Sequence, residues 1–354
     1  MIQSRRKSIK KIGTGLVAIP TIMSSSAILS ACGSSGASEQ ASSATETLAE
    51  ETASLFFSIS LAQWSLNRAF FGEQRNQPDW WQKFAQALDN DPDSVIQGEL
   101  DPKNFPSIAK QQFGISAIEY VNTFFYAHAE NTAYLNGLKQ QCDDNGVSSQ
   151  LIMCDRLGNL GDADEAARIK AVENHYKWVN AAKYLGCHSI RVNAAGQGTA
   201  EEVKAAAVDG LGRLSEYGAE NGINIIVENH GGYSSDGSWL ADVMKQVNSP
   251  NCGTLPDFGN FCITRGADGC EDEYDRYKGT KELMPYAKGV SAKAHSFDAE
   301  GNEKSTDFVK MLQIVKDAGF KGFVGIEFEG DELSEPDGIN ATKALLMKAG
   351  AQVS

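Results

Sequence analysis

Residues 223–232 read INIIVENHGG, an apolar run that stops abruptly on Glu228, Asn229 and His230 and then turns on Gly231 and Gly232. A short, continuous apolar run bounded by turn residues is the pattern of a strand buried on both faces in a parallel sheet. A carboxylate and an imidazole at the end of such a strand stand where an α/β barrel presents reactive groups, at its open face. Three later stretches have the same form: TLPDFGNF carries Asp257, GVSAKAHSF carries His295, and FVGIEFEG carries Glu327 and Glu329. Each of the four runs ends on a group able to ligate a metal ion.

Around these runs, strand and helix patterns alternate. Runs at 56–66, 115–121, 147–154 and 187–192 are expected as strands one to four, and 223–227, 252–256, 289–294 and 322–326 as strands five to eight. Helices are expected at 105–113, 129–145, 163–185 and 200–221, then near 238–247, 271–286, 306–318 and 336–349. The aromatic and polar segment 78–98 reads as an inserted loop with a helix. Gly146, Gly186 and Gly222 follow three of the helices, at the position where a left-handed residue ends a helix. Eight strands alternating with helices predict a single (β/α)8 TIM barrel over residues 55–354, because an open sheet usually has fewer strands at this length. No glycine fingerprint of a dinucleotide or P-loop site follows any strand, which argues against a nucleotide cofactor.

Residues 1–31 carry five basic residues (Arg5, Arg6, Lys7, Lys10, Lys11) and no acid, followed by an apolar, small-residue stretch at 12–29. This is the pattern of a signal peptide, too short and too rich in Ser and Gly for a membrane span. The Arg5-Arg6 pair resembles a twin-arginine export signal, with Ser8 where that motif usually has a bulky apolar residue. LSAC at 29–32 resembles a bacterial lipobox, which implies cleavage before Cys32 and lipid on its thiol. Residues 33–54 are small, polar and acidic, and read as a flexible tether. The expected product is a periplasmic or cell-surface protein held at a bacterial membrane through its N-terminal lipid alone. Removing residues 1–31 takes the net charge from −14 to −19, which repels phosphate backbones and argues against a nucleic-acid partner. The six cysteines besides Cys32 fit no zinc spacing. Cys154 and Cys187 sit in apolar runs and read as core, and a Cys262–Cys270 disulfide is left open.

In a closed barrel the ends of strands five to eight are neighbours, so Glu228, Asp257, His295 and Glu327 can converge from distant parts of the chain. Carboxylates crowded into one pocket resist ionisation, and a divalent cation removes that conflict. Carboxylates with one imidazole suit Mn2+ first, and also Mg2+, Co2+ or Zn2+. One strand-end carboxylate alone is more simply a helix cap or the partner of a surface lysine. Four on consecutive strands argue for a site.

These motifs resemble the xylose isomerase-like barrel family, which includes sugar isomerases, ketose 3-epimerases and inosose dehydratases. The resemblance spans about residues 55–350 and rests on ENHGG, PDFGN and GIEFEG. It implies that Glu228, Asp257 and Glu327 are metal ligands, and that Glu228 and Glu327 flank the substrate as acid and base. The chain departs from the family at strand seven, where relatives carry His-x-Lys and this sequence has Ser291, Ala292 and Lys293. Alternation along a strand puts Ser291, Lys293 and His295 on one face. His295 is therefore expected as the fourth ligand, with Lys293 beside the substrate, and Glu327 is preferred over Glu329. His230 should share the face of Glu228, to touch substrate or to support a ligand. Asn260, Arg191, Asn193 and Glu119 lie near other strand ends and are candidates for sugar hydroxyls, as is Trp64 for stacking on a ring.

The expected reaction begins with removal of the proton on the carbon beside a chelated carbonyl, through an enediolate whose charge a cation offsets. Glu228 would take the proton. Its return by Glu327 on the opposite face gives epimerisation, and return to the neighbouring carbon gives isomerisation. Lys293 or His230 would steady the oxyanion. The expected activity is that of a divalent-metal-dependent carbohydrate isomerase or epimerase. An exported enzyme meets free sugars rather than sugar phosphates, and no cluster of basic residues and glycines marks a phosphate site. A 3-keto-glycoside lyase or hydratase using the same first step is the alternative. A non-catalytic sugar-binding lipoprotein would not need both Glu228 and Glu327. Homo-oligomerisation is left open by the sequence.

Overall fold

The computed structural model describes residues 55–354. The expected export signal at 1–31, the lipid attachment at Cys32 and the tether to residue 54 lie outside the described residues. In chain order the strands are β1 (Ser58–Ala62), β2 (Ala117–Val121), β3 (Ser148–Met153), β4 (Ser189–Val192), β5 (Asn224–Glu228), β6 (Cys252–Leu255), β7 (Cys262–Gly266), β8 (Gly269–Glu273), β9 (Val290–Ala294) and β10 (Phe323–Phe328). Eight of them form one parallel sheet in the order β6-β5-β4-β3-β2-β1-β10-β9. Parallel bridges Thr254–Ala287 and Asp257–Ser291 join the β6 side to the β9 side, with Ser291 N–H donating to Pro256 O at 2.9 Å. The sheet thus closes into the expected (β/α)8 barrel.

The strands form because each is buried on both faces. Ile225, Ile226 and Val227 of β5 are all fully buried, since alternate side chains point into the barrel and toward the surrounding helices. The helices start where their sequences supply a cap. Thr199 Oγ1 accepts from Glu202 N–H, and Glu202 Oε2 accepts from Thr199 N–H at 2.8 Å, a reciprocal pair that opens the helix Ala200–Asn221. That helix and its stop at Gly222, at φ 71°, agree with the sequence reading. Among the described residues, no helix is long and apolar enough to cross a membrane.

Two elements differ from expectation. The first strand ends at Ala62, and Gln63–Leu66 make a single 3-10 turn. Ser65 Oγ there accepts from Phe328 N–H at 3.0 Å and contacts Ile326 O at 3.2 Å, so a side chain serves the edge of β10 where backbone would otherwise continue. The helix expected at 271–286 begins only at Arg276, because β7 and β8 form an antiparallel hairpin over the barrel mouth. All five residues of β8 are exposed, so the hairpin shows no half-buried alternation. The tip sequence G-A-D-G at 266–269 was the available signal. Cys262 and Cys270 are joined by a disulfide across it.

Inside the barrel, Ser60 Oγ donates to Glu119 Oε1 at 2.5 Å, and both residues are essentially inaccessible. Gly325 faces this pair: a Cβ there would lie 2.6 Å from Glu119 Oε1. The carboxyl is bonded and enclosed, so it has little room to yield. Gly325→Ala should therefore destabilise the fold by about 1–3 kcal/mol in urea unfolding. An unchanged midpoint would show that Glu119 moves aside freely.

Candidate active site

β5 delivers Glu228 at its last residue, with 1% of its surface exposed. Its Oε2 lies 2.7 Å from Arg191 Nε, and its Oε1 accepts from Asn260 Nδ2 at 2.9 Å. Two residues past the end of β6, Asp257 is fully buried, and its Oδ1 accepts the N–H groups of Gly259 and Asn260 at 2.8 Å each. Asn229, which sequence reasoning did not assign to the site, ties the two strand ends together. Its Nδ2 donates to Asp257 O at 3.0 Å and its Oδ1 accepts from Asp257 N–H at 2.7 Å. From β10, Glu327 accepts from Ser291 Oγ at 2.9 Å and pairs with Lys293 Nζ at 3.3 Å.

One oxygen from each of Glu228, Asp257 and Glu327 lies within 4.8 Å of the others. Asp257 Oδ2 and Glu228 Oε2 are buried without a hydrogen bond, although the latter faces Arg191. Buried oxygen acceptors this close, and not saturated by donors, fit a hard divalent cation. His295 does not join them. β9 ends at Ala294, whose carbonyl accepts from Glu329 N–H at 3.0 Å, and the strand alternation stops there. His295 is half exposed, with Nε2 3.9 Å from Glu329 Oε2. The strand-seven position where the resemblance implied a histidine holds Ser291, its hydroxyl donating to Glu327.

Electrostatics follow from burying like charges together. Burial pushes Asp257 up to about 7, with Glu228 and Glu327 adding to the rise and Lys293 opposing it. Glu228 is likewise pushed up to about 7 by burial, against the pull of Arg191. Burial lifts Glu119 to about 8 despite its bond from Ser60. Lys293 is held well above its usual value because Glu327, Glu329, Asp257 and Glu228 outweigh its burial. Asp155, whose burial is overcome by Arg191, falls to about 2. A divalent cation would relieve the mutual repulsion of Glu228, Asp257 and Glu327.

Above this floor opens a cavity of about 630 Å³. Of the residues expected in the site, Trp64, Arg191, Asn193, His230, Asn260, Lys293 and Glu327 line it. Glu119 does not: it sits within the barrel against Ser60, which corrects its expected role toward substrate. Arg191 is committed to ion pairs with Glu228 and Asp155, both at 2.7 Å, rather than free for a hydroxyl. His230 Nδ1 is 3.2 Å from Asn193 Oδ1. Asp155 was missed, although QLIMCDR at 150–156 has the same apolar-run-then-acid form as the other strands. The outer walls were missed as well: Arg75, Trp81 and Phe84 from the β1–β2 insertion, Arg156, and Ile263 and Arg265 from the hairpin.

A family model for the xylose isomerase-like TIM barrel matches residues 109–349, and the chain belongs to that family. No match was found among curated proteins. Solved structures with the same fold include apo 3-keto-D-glucoside 4-epimerase, YcjR, from E. coli, at 13% identity and TM-score 0.57, over 82% of this chain and 99% of that one. A xylose isomerase-like TIM barrel protein from Mycobacterium smegmatis in complex with magnesium aligns at 14% identity and TM-score 0.57, over 84% and 98%. The IOLI protein with a bound zinc atom aligns at 14% identity and TM-score 0.58, over 84% and 99%. At these identities the likeness establishes the fold alone.

The environment of Glu119 makes a measurable claim. Burial pushes its carboxyl up to about 8 from the 4.5 of a solvated group, so the folded state keeps a proton that the unfolded chain gives up. Its contribution is therefore most favourable below the solvated value and declines as pH rises toward 8. Glu119→Gln, which cannot ionise, should gain stability over the parent by on the order of 3 kcal/mol between about pH 5 and pH 8. Urea titrations of the metal-free proteins check this, and a difference independent of pH would contradict it.

Proposed function

We propose that this chain is a divalent-metal-dependent carbohydrate isomerase or epimerase that acts on free sugars by proton abstraction beside a carbonyl. The observation that carries the reading is the trio Glu228, Asp257 and Glu327, brought within 4.8 Å of one another, with Glu327 lining the cavity and the other two buried behind its wall. Those three residues would hold the cation. Their all-oxygen donor set favours Mn2+ or Mg2+ over softer ions. When bound, the cation would polarise a substrate carbonyl and lower the cost of negative charge on it.

The chain's own residues supply the remaining chemistry. Glu327 lines the cavity and can exchange a proton with the substrate from its side. Glu228, joined to the cavity wall through Asn260, is the second carboxylate of the acid–base pair. Lys293 Nζ lines the cavity 3.3 Å from Glu327 and 3.4 Å from Glu329, where it can donate to a developing oxyanion. His230 and Asn193 form a polar edge suited to substrate hydroxyls. Asp155, held ionised by Arg191, orients that guanidinium against Glu228. One structural relative, a 3-keto-D-glucoside 4-epimerase, supports carbohydrate chemistry of this class.

The size of the cavity favours one second reading. At about 630 Å³ it is larger than a single hexose fills, which leaves room for the group at carbon 1 of a glycoside. The same proton abstraction on a 3-keto-glycoside would expel that group, making the enzyme a lyase or hydratase. In either case the sequence features of residues 1–32 support placement outside the cytoplasm on a lipid anchor.

Exchange in D2O tests the shared first step. Parent protein supplied with Mn2+ should introduce deuterium beside the carbonyl of a free ketose or a 3-keto-glycoside, read by NMR. Glu327→Gln should slow this by about 100-fold or more while the fold is retained. Exchange at parental rate in that variant would remove Glu327 from the chemistry.

A further inference from the structure

The charged groups of the cavity fall into two layers. At the floor, Arg191 pairs with Glu228 and Asp155, and Lys293 pairs with Glu327 and Glu329, so cations and carboxylates offset one another. At the mouth stand Arg75, Arg156 and Arg265, and no carboxylate of the described residues lies within ion-pair distance of any of them. They arrive from three separate parts of the chain: the turn Gly72–Asn76, the third residue after β3, and the hairpin strand β7. In a chain of net charge −14, three unpaired guanidinium groups around one opening are a local reversal of sign. The sequence showed no such cluster because 81 and 109 residues separate them along the chain.

Two of the three are held in place. Arg75 Nε donates to Asn67 Oδ1 at 3.2 Å, and its guanidinium lies 5.2 Å over the Trp81 ring. Arg156 has φ 64°, a left-handed backbone that is costly for a residue with a side chain, and its carbonyl accepts from Tyr126 Oη at 2.8 Å. Beside them, Trp81 is 56% exposed, and it stacks on Trp64 with ring centroids 6.5 Å apart. The exposed part of Trp81, in the same cavity as the unpaired Arg156 and Arg265, offers a sugar ring both an apolar platform and an anion site.

We propose that the cavity mouth is an outer subsite selecting an acidic carbohydrate: a sugar ring on Trp81 and Trp64 whose oxyanion is met by Arg156 and Arg265. The proposal rests on the reading of the floor as a carbohydrate site, and it narrows the substrate class to sugars or glycosides bearing a carboxylate or sulfate, or replaces the free-sugar reading where the group is a phosphate. Planar guanidinium groups accept all three, so the source is decided by the ligand arms of the test.

Calorimetry and Trp fluorescence on the purified full chain would compare a disaccharide ending in glucuronate with the neutral disaccharide of the same linkage. Sugar 6-sulfates and 6-phosphates form two further arms. At least one acidic class should bind about tenfold or more tightly than its neutral partner, with an advantage that shrinks as salt is raised. The class that shows the advantage identifies the oxyanion. In Arg156→Gln/Arg265→Gln the acidic-to-neutral ratio should fall toward one, and Arg265→Glu should disfavour the acidic ligand. Both side chains are exposed, and an unchanged melting temperature would confirm that the fold is intact. Equal binding of acidic and neutral ligands by the parent, no binding of any acidic ligand, or a preference that survives in the double variant would overturn the proposal. Binding is read without turnover. A failure of the deuterium-exchange test therefore leaves this result standing, and a missing anion preference leaves that test standing.

Discussion

The constraint on which the structure turns is the burial of Glu228, Asp257 and Glu327 side by side. Three ionised carboxylates at such separations, out of water, repel strongly and lack the hydration that would stabilise them. The barrel answers in two ways. It brings in two buried cations, Arg191 on β4 against Glu228 and Lys293 on β9 against Glu327. It also leaves Asp257 Oδ2 without a hydrogen bond and Glu228 Oε2 facing only the Arg191 guanidinium, a cost that a cation completing the set would offset.

Much of the surrounding structure holds this arrangement still. Asn229 bonds the backbone of Asp257 in both directions, so the ends of β5 and β6 keep a fixed spacing. The two N–H donors on Asp257 Oδ1 aim the other oxygen into the site. Ser291, at the position where the resemblance implied a histidine, restrains Glu327 with its hydroxyl. Asp155 fixes the far end of Arg191. The cost of the site is thus carried by a rigid scaffold of parallel strands, while variable segments build the mouth above it.

The fold and the floor were legible because both rest on local signals. Apolar runs marked the eight strands, and acids at their ends marked Glu228, Asp257 and Glu327. His295 was misplaced because alternation was carried one residue beyond the end of β9, and the strand's last residue cannot be read from composition. Glu119 looked like its neighbours in sequence, but its partner is Ser60 on the adjacent strand β1, a contact set by the β1–β2 pairing rather than by any local pattern. The hairpin escaped because β8 is exposed along its whole length and β7 is partly buried in consecutive residues, so neither carries an alternation. The arginines at the mouth had no sequence signature at all, since only the fold of the β1–β2 insertion and the hairpin brings them to one opening.

The central claim is that the carboxylate trio is a metal centre, and equilibrium binding of Mn2+ followed by electron paramagnetic resonance tests it most directly. The account predicts one tightly held Mn2+ per chain in the parent protein, lost in Asp257→Asn and retained in His295→Ala. Absence of Mn2+ or Mg2+ binding by the folded parent, or full binding by folded Asp257→Asn, would contradict it.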